Sequence, residues 1–261
     1  MTSEPFDLDR IRSSVYVREV EFHAEIGSTN DRATELVRKH QLDCPILVLA
    51  ACQSAGRGRG SNRWWSGPGA LTFSLVLDSL QLGLPMERWP QTALAAGAAV
   101  CEAIEQLIPD TVVKVKWPND VYLAGKKVCG ILVEAPADGA GRLIVGVGVN
   151  VNNSLEAAPH ELAQRATSMS DAAGHEFNLT DVLLAVLARF ADWQSHLVHD
   201  ECGLIERWRT RCLLTGKRVC LNAGARQVTG ICRGIDDVGR LVLSSPEGTQ
   251  HYLSGTILSF E

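Results

Sequence analysis

The residues whose types and spacing point most clearly to a chemical role are those at positions 56 to 64. In order they are Gly56, Arg57, Gly58, Arg59, Gly60, Ser61, Asn62, Arg63 and Trp64. No acidic residue occurs between Asp43 and Asp78, so no local carboxylate neutralises the three arginines of this window. Glycines leave backbone N–H groups accessible, and arginines present rigid forks of donors. This combination suits an anionic ligand with several oxygens, such as a nucleotide phosphate. An RNA contact and a plain solvated loop are the alternatives.

Several well-known kinds of site are excluded because the sequence lacks their motifs. The window lacks the Gly-Lys-Ser/Thr ending of a Walker A loop and the final glycine of a dinucleotide-binding fingerprint. His160 is followed by Glu161 but not by the second histidine of a zinc hydrolase helix. No G-x-S-x-G elbow of a serine hydrolase occurs.

A second polar cluster follows at Lys116, Trp117, Pro118, Asn119 and Asp120. Pro118 ends a strand, so Asn119 and Asp120 are expected at a turn beside the strand terminus. There they could hydrogen-bond a base, a sugar or a hydrated metal ion. Ordinary turn chemistry after a proline is the alternative.

Lys127 begins the second strand of a hairpin and alternates with Cys129 and Ile131, on an otherwise apolar face. A lysine on a buried face needs a partner, which a ligand carboxylate or phosphate would supply. A frayed strand start is the alternative. Lys126 points the other way, towards solvent.

The strand over 142–151 contains Gly146 and Gly148, which would let a flat group pack on the sheet, with Asn150 binding a polar edge. A bulged core strand is the alternative.

The elements that position these residues follow from hydrophobic patterning and turn residues. Ser28 opens a helix, and further helices are expected over 90–107 and 179–199. Buried strands are expected over 45–51, 70–77, 112–117 and 142–151, with a hairpin over 121–123 and 127–135. Residues 53–69 have no periodicity and form a long loop, which is more often functional than not. After Leu214, five short strands predict a miniature barrel that leans on the main domain.

Composition limits the class of protein. The chain has 261 residues, of which 46% are hydrophobic, and this composition is ordinary for a globular protein. Its formal charge of −5 is unlike the positive charge of proteins that coat nucleic acids. No apolar run reaches the roughly 18 residues of a membrane span. The polar N-terminus lacks a signal-peptide core, and residues 1–20 are too few for a winged-helix DNA-binding domain. The eight cysteines show no CxxC spacing, so reduced thiols and a cytoplasmic location are expected.

Taken in order, the motifs resemble the biotin protein ligase family. The matching residues are Gly27, Ser28, Thr29 and Asn30; Gln53 to Arg59 with Trp64; Lys116 to Asp120; Lys127 with Gly130 to Glu134; and Gly148, Val149 and Asn150. The resemblance implies an α+β fold, with a mixed sheet and flanking helices like class II aminoacyl-tRNA synthetases. It also implies a catalytic domain over 1–212 and an SH3-like barrel over 213–261, without an N-terminal DNA-binding domain.

The resemblance implies a two-step reaction. The carboxylate of biotin attacks the α-phosphate of ATP to give biotinyl-5′-AMP and pyrophosphate, with Mg²⁺ present. A lysine of a biotin carboxyl carrier protein then takes the biotinyl group and releases AMP. A homodimer is left open.

Site residues are carried over by matching positions. The implied biotin-binding residues are Ser28, Thr29, Asn30, Gln53, Arg57, Gly58, Arg59, Lys127 and Gly130. The implied ATP-binding residues are Arg57, Arg59, Arg63, Trp64, Lys116, Asn119, Asp120, Lys127 and Asn150. Lys127 and Arg59 would be catalytic, and Asp120 is the candidate ligand for Mg²⁺.

The arginine loop departs from the family pattern. Ser61 and Asn62 stand where the family commonly has a further glycine and arginine, and Arg63 could compensate. The alternatives to a biotin ligase are a lipoate or octanoyl ligase or transferase of the same fold, and a non-catalytic biotin-sensing module. The GRGR loop and the KWPND motif belong to the biotin branch, and Lys127 would be dispensable only in a sensor.

Overall fold

The computed structural model describes residues 5–38, 41–156, 158–199, 201–224 and 226–261, without the side chains of residues 201 and 202. Within these residues the helices are α1 (Leu8–Arg12), α2 (Thr29–Val37), α3 (Gln91–Leu107), α4 (His160–Arg165), α5 (Met169–Ala173), α6 (Leu179–His199) and α7 (Glu201–Arg211). The strands are β1 (Glu19–His23), β2 (Ile46–Ala50), β3 (Leu71–Asp78), β4 (Val113–Lys116), β5 (Asp120–Leu123), β6 (Lys126–Glu134), β7 (Arg142–Val149), β8 (Arg218–Asn222), β9 (Gln227–Ile235), β10 (Leu241–Ser245), β11 (Gly248–Tyr252) and β12 (Thr256–Phe260).

The main sheet has seven strands in the order β1-β2-β3-β7-β6-β5-β4. β1 and β2 run parallel, and every other neighbouring pair is antiparallel. The predicted α+β class with a mixed sheet and flanking helices is therefore confirmed.

Strand alternation assigns the two faces of this sheet to different helices. In β2, Ile46 and Val48 join the cluster formed with α2, whereas Leu47 and Leu49 join the main core with α3 and α6. α2 makes its main contacts with β2, β3 and β7, so its face of the sheet is left largely uncovered by helices over β6 and β5. The functional residues lie over this uncovered part.

α3 confirms the helix expected over 90–107, with Pro90 at its N-cap. Its small residues allow close packing on the sheet. A Cβ on Gly97 would lie 3.3 Å from Val115 Cγ1, which leaves little room for a larger side chain.

The C-terminal strands form a five-stranded antiparallel sheet in the order β11-β10-β9-β8-β12. Its buried residues belong to the same core as the main sheet. Trp117 Nε1 donates to the Gly239 carbonyl at 3.2 Å, and Arg209 Nε donates to the Ile235 carbonyl at 2.9 Å. The prediction that these strands lean on the main domain is confirmed.

Two further properties of the described residues are the state of the cysteine thiols and the hydropathy of the helices. Seven cysteines have described side chains and all seven are free thiols, whereas Cys202 lies outside the described side chains. No helix within the described ranges is both long and apolar enough to cross a membrane.

Candidate functional site

A cavity of about 320 Å³ opens on the uncovered face of the main sheet. The long loop, the start of α2, the β4–β5 turn, β6, β7 and the turn before β12 contribute to it. Every site residue expected from the sequence lines this cavity except Asn150. The lining residues from the sequence set are Ser28, Thr29, Asn30, Gln53, Arg57, Gly58, Arg59, Arg63, Trp64, Lys116, Asn119, Asp120, Lys127 and Gly130.

The alternation proposed for Lys127 is wrong. The pairing of β5 with β6 shifts register between Val121 and Tyr122, which places an extra residue in β6. Such a bulge moves the following side chains to the opposite face. Lys127 therefore lies on the face of Gly130, where a Cβ would be 3.3 Å from Lys127 Nζ.

Lys127 faces the cavity beside a carboxylate and an aromatic ring. Its Nζ is 2.5 Å from Asp120 Oδ1 and 5.9 Å from the centre of a Trp64 ring. Asp120 thus holds the ammonium of Lys127 on the cavity wall. In the contacts described for this ammonium, Asp120 is the one carboxylate. The ammonium can exchange or share its partner when an anionic ligand arrives.

The flat group that packs on Gly148 of β7 and on Gly130 of β6 is the indole of Trp64, whereas Gly146 faces the side chain of Asn30. A Cβ on Gly148 would lie 2.3 Å from the Trp64 ring, and one on Gly130 would lie 3.2 Å from it. Trp64 Nε1 is buried and has no hydrogen-bond partner among the described residues. The indole therefore lies flat on the sheet and forms a wall of the cavity.

Part of the long loop forms a small hairpin. Trp64 N donates to the Gly56 carbonyl at 2.9 Å, and Gly58 N donates to the Asn62 carbonyl at 2.8 Å. Gly60 takes a φ of +65° at the turn, and the Asn62 side chain donates to the Arg59 carbonyl at 2.9 Å. Asn62, one of the two residues that depart from the family pattern, therefore has a structural role, because its side chain closes the turn.

Arg57 is clamped by two carboxylates that sequence reasoning did not assign to the site. Its two terminal nitrogens donate to Glu134 at 2.8 and 2.7 Å, and its Nε is 2.7 Å from Asp31. The hydrogen bonds to Glu134 raise the pKa of Arg57. This bidentate geometry fixes the loop to β6 and α2.

The Arg57 clamp makes the protein's stability depend on pH. Although burial opposes it, hydrogen bonds from Arg57 and Asn30 hold the pKa of Glu134 below its usual 4.5. A lowered folded-state pKa stabilises the protein above the unfolded pKa, and this stabilisation is lost as pH falls through the folded value. We expect Glu134→Gln to lower the urea midpoint at pH 7 and the gap to wild type to close below about pH 4.

Chemical denaturation between pH 3 and pH 7 checks this expectation. Glu35→Gln, which removes an exposed carboxylate, is the control. A gap between Glu134→Gln and wild type that stays constant in acid would contradict it.

The start of α2 is tied to the long loop and to β3. Ser28 is the N-cap, and Thr29 donates to Gln53 Oε1 from its backbone N at 2.8 Å and from its hydroxyl at 3.2 Å. Asn30 Nδ2 donates to Glu134 Oε2 at 2.8 Å, and Asn30 Oδ1 accepts from Ser74 at 2.6 Å. Ser74 was missed, although a serine inside a buried apolar strand signals a polar partner.

Arg59 and Lys116 are two further cations in the cavity wall. Arg59 Nη1 donates to the Gly255 carbonyl at 2.6 Å. Burial lowers the pKa of Lys116, whereas the Asp120 carboxylate opposes this shift. Asn119 Nδ2 donates to the Ile131 carbonyl at 2.6 Å, which anchors the β4–β5 turn to β6.

Asn150 lies beside the cavity rather than in its wall. It is 4% exposed, and its side chain donates to the Thr167 carbonyl and accepts from Asn153, both at 3.1 Å. Its contact with a nucleotide stays a prediction.

Metal ligands are sparse in the described part of the chain. No group of three or more His, Cys, Asp or Glu residues there could hold a metal ion by itself. Among the described residues, Asp120 is the one carboxylate in the cavity wall.

Comparison with known proteins shows to which family the chain is similar. A sequence model of the Biotin/lipoate A/B protein ligase family matches residues 23–152, and one of the Biotin protein ligase C terminal domain matches residues 215–258. The biotin–[acetyl-CoA-carboxylase] ligase of Mycobacterium tuberculosis is 35% identical over 234 residues, which cover 87% of this chain and 83% of that protein. The bifunctional ligase/repressor of Bacillus subtilis is 32% identical over 251 residues, which cover 95% of this chain and 76% of that protein.

A solved structure extends the likeness to the fold. The biotin protein ligase from Aquifex aeolicus, in complex with biotin and ATP, superposes with a TM-score of 0.79 at 31% identity. The match covers 94% of this chain and 99% of the Aquifex chain. The ordered motifs, the shared architecture and these relatives lead to one conclusion: the chain belongs to the biotin protein ligase family.

Proposed function

We propose that this protein uses ATP to activate biotin as biotinyl-5′-AMP and transfers the biotinyl group to a lysine of a biotin carboxyl carrier protein. The observation that carries the proposal is the cationic wall of a single cavity. Arg59, Lys116 and Lys127 line it together with the polar residues at the start of α2. Such a cavity suits a reaction in which two anions, the carboxylate of biotin and the triphosphate of ATP, must come into contact.

In the first step, a carboxylate oxygen of biotin attacks the α-phosphorus of ATP, and pyrophosphate leaves. Both reactants are negative, so their approach is unfavourable in water. Lys127 can contact the carboxylate and the α-phosphate together, which lowers the repulsion and stabilises charge in the transition state. Ser28, Thr29 and Gln53 hold the ureido ring at the other end of the cavity.

The donor set fits a magnesium ion brought by ATP. Mg²⁺ is usually held by one or two carboxylates together with substrate phosphates and water, and Asp120 supplies one carboxylate here. When bound, the ion neutralises phosphate charge. Asp120 also pairs with Lys127 and so orients it.

In the second step, a neutral lysine amine of the acceptor attacks the acyl carbon of the anhydride, and AMP leaves with the bonding electrons. A biotin carboxyl carrier protein is the proposed acceptor, and the cytoplasm is the proposed location. The free thiols of the described cysteines support the reducing compartment. We assign catalysis to residues 1–212 and place the smaller domain at 213–261.

The lipoate alternative has less support. The match of residues 215–258 to the biotin-type C-terminal domain and the names of the relatives favour biotin. Incubation with labelled biotin, ATP, Mg²⁺ and a carrier domain tests the choice. We expect the carrier to be labelled despite excess lipoate, and competition by lipoate would overturn the assignment.

Arg59 is expected to retain the activated intermediate. Its guanidinium reaches from the loop to the Gly255 carbonyl and so ties the loop to the turn before β12, which also lines the cavity. Arg59→Gly removes this tie, and we expect biotinyl-5′-AMP to escape and label lysines of a bystander protein. Avidin blots of serum albumin added to the reaction measure the escape.

Arg226→Gly, which alters an arginine bonded to Gln250 in the C-terminal sheet, serves as the control. Bystander labelling no higher in Arg59→Gly than in the control would refute the retention role.

A further inference from the structure

A small aromatic cage encloses the ammonium of Lys116. Its Nζ lies 5.8 Å from the centre of the Tyr122 ring and 5.5 Å from the centre of the Phe260 ring. The two rings meet edge to face, with centres 6.4 Å apart and planes at 79°. Tyr122 is on β5, whereas Phe260 is on β12 of the C-terminal sheet. The cage therefore joins two parts of the fold around one cation of the cavity, and Lys217 Nζ, which does not line the cavity, also lies 5.5 Å from the centre of the Phe260 ring.

The cage addresses a specific electrostatic problem. Lys116 is partly desolvated, and it is repelled by Lys127 and Arg165 while Asp120 attracts it. The faces of aromatic rings carry partial negative charge, so two of them stabilise an ammonium that water solvates poorly. They also restrict a side chain that otherwise has many rotamers. An ordered cation results without a second carboxylate that would repel phosphates.

The same segment of the C-terminal sheet reaches the cavity at a second point. Gly255, Thr256 and Ile257 line it, and the Gly255 carbonyl accepts from Arg59. A Cβ on Gly255 would lie 2.5 Å from Leu221 Cδ1, so the turn is fitted closely to its own sheet. The position of β12 is therefore coupled to two cations of the site.

We propose that Phe260 is a positioning residue that acts through Lys116 and holds its ammonium where the phosphates of ATP bind. This inference rests on the proposed adenylation function. Phe260 itself does not line the cavity, and its ring acts on the substrate only by way of the lysine. The C-terminal sheet thereby takes part in ATP binding rather than only in stability.

A purely structural role predicts different behaviour from a positioning role. Phe260→Leu keeps an apolar side chain of similar size but removes the ring, whereas Phe260→Tyr keeps a ring. If Phe260 only fills space, leucine should serve as well as tyrosine. If it holds Lys116, only an aromatic residue should do so.

The test is steady-state ATP–pyrophosphate exchange with the full-length chain. We expect Phe260→Leu to raise the KM for ATP about three- to tenfold, with the KM for biotin unchanged, and Phe260→Tyr to restore it. In a Lys116→Ala background, Phe260→Leu should cause no further rise, because the two residues act as one unit. Leu258→Ala, an exposed residue of β12, controls for damage to the strand.

Two results would overturn the inference. One is an unchanged KM for ATP in Phe260→Leu, and the other is an equal rise with and without Lys116. If the wild-type protein shows no biotin-dependent exchange, the proposed function itself is refuted together with this inference. Wild-type exchange with an unaffected Phe260→Leu variant refutes the inference alone.

Discussion

Replacement of Lys127 by alanine is expected to reduce biotin-dependent ATP–pyrophosphate exchange by about 100- to 1,000-fold while the fold persists. Lys127 is the cation that can touch both reacting anions, and its loss removes a charge that acts most strongly in the transition state. The side chain is 30% exposed, so its truncation leaves no buried cavity. Exchange of labelled pyrophosphate into ATP at saturating biotin measures the effect.

Lys126→Ala provides the matched control for this variant. Lys126 is the preceding residue on the same strand, is exposed, and is not among the cavity residues. Its replacement changes the net charge by the same amount and should leave exchange at the wild-type rate. Near-normal exchange in Lys127→Ala would remove Lys127 from the mechanism.

Gly146→Ala is expected to weaken both stability and biotin binding. The added Cβ would lie 2.0 Å from Asn30 Oδ1, so Asn30 must move. Asn30 is 4% exposed and bonds to Ser74 and Glu134, and its displacement leaves buried polar groups without partners. Each such group costs about 1–3 kcal/mol, and we expect a loss of about 2–3 kcal/mol in the free energy of unfolding.

The same displacement alters the start of α2, where the ureido ring of biotin is proposed to bind. We expect the dissociation constant for biotin to rise about tenfold, since one hydrogen bond lost between this segment and the ureido ring corresponds to about that factor. Calorimetry and urea denaturation measure the two effects. Gly27→Ala, where no atom lies within 4 Å of the new Cβ, is the control for stability. Wild-type stability in Gly146→Ala would contradict the packing argument.

Local signals in the sequence predicted much of the site. Pro90 and the alanine-rich run after it predict α3, and glycines at 146 and 148 predict a close approach to β7. These signals succeed because each depends on one residue and its immediate neighbours. Strict alternation failed at Lys127, because a bulge in pairing cannot be read from one strand alone.

Contacts between distant segments explain what sequence reasoning missed. Glu134 clamps Arg57 from 77 residues away, and Gly255 holds Arg59 from 196 residues away. β1 was also missed, because its alternating charged residues look like part of a polar lead-in. Partner choice across such distances is set by tertiary packing, which periodicity does not encode.

Direct detection of the mixed anhydride tests the central claim. Purified protein is mixed with biotin, ATP and Mg²⁺ without any carrier protein, and bound small molecules are analysed by mass spectrometry. We expect one biotinyl-5′-AMP per active chain, with pyrophosphate released only when biotin is present. Bound biotin and intact ATP, with no anhydride and no pyrophosphate, would contradict the account.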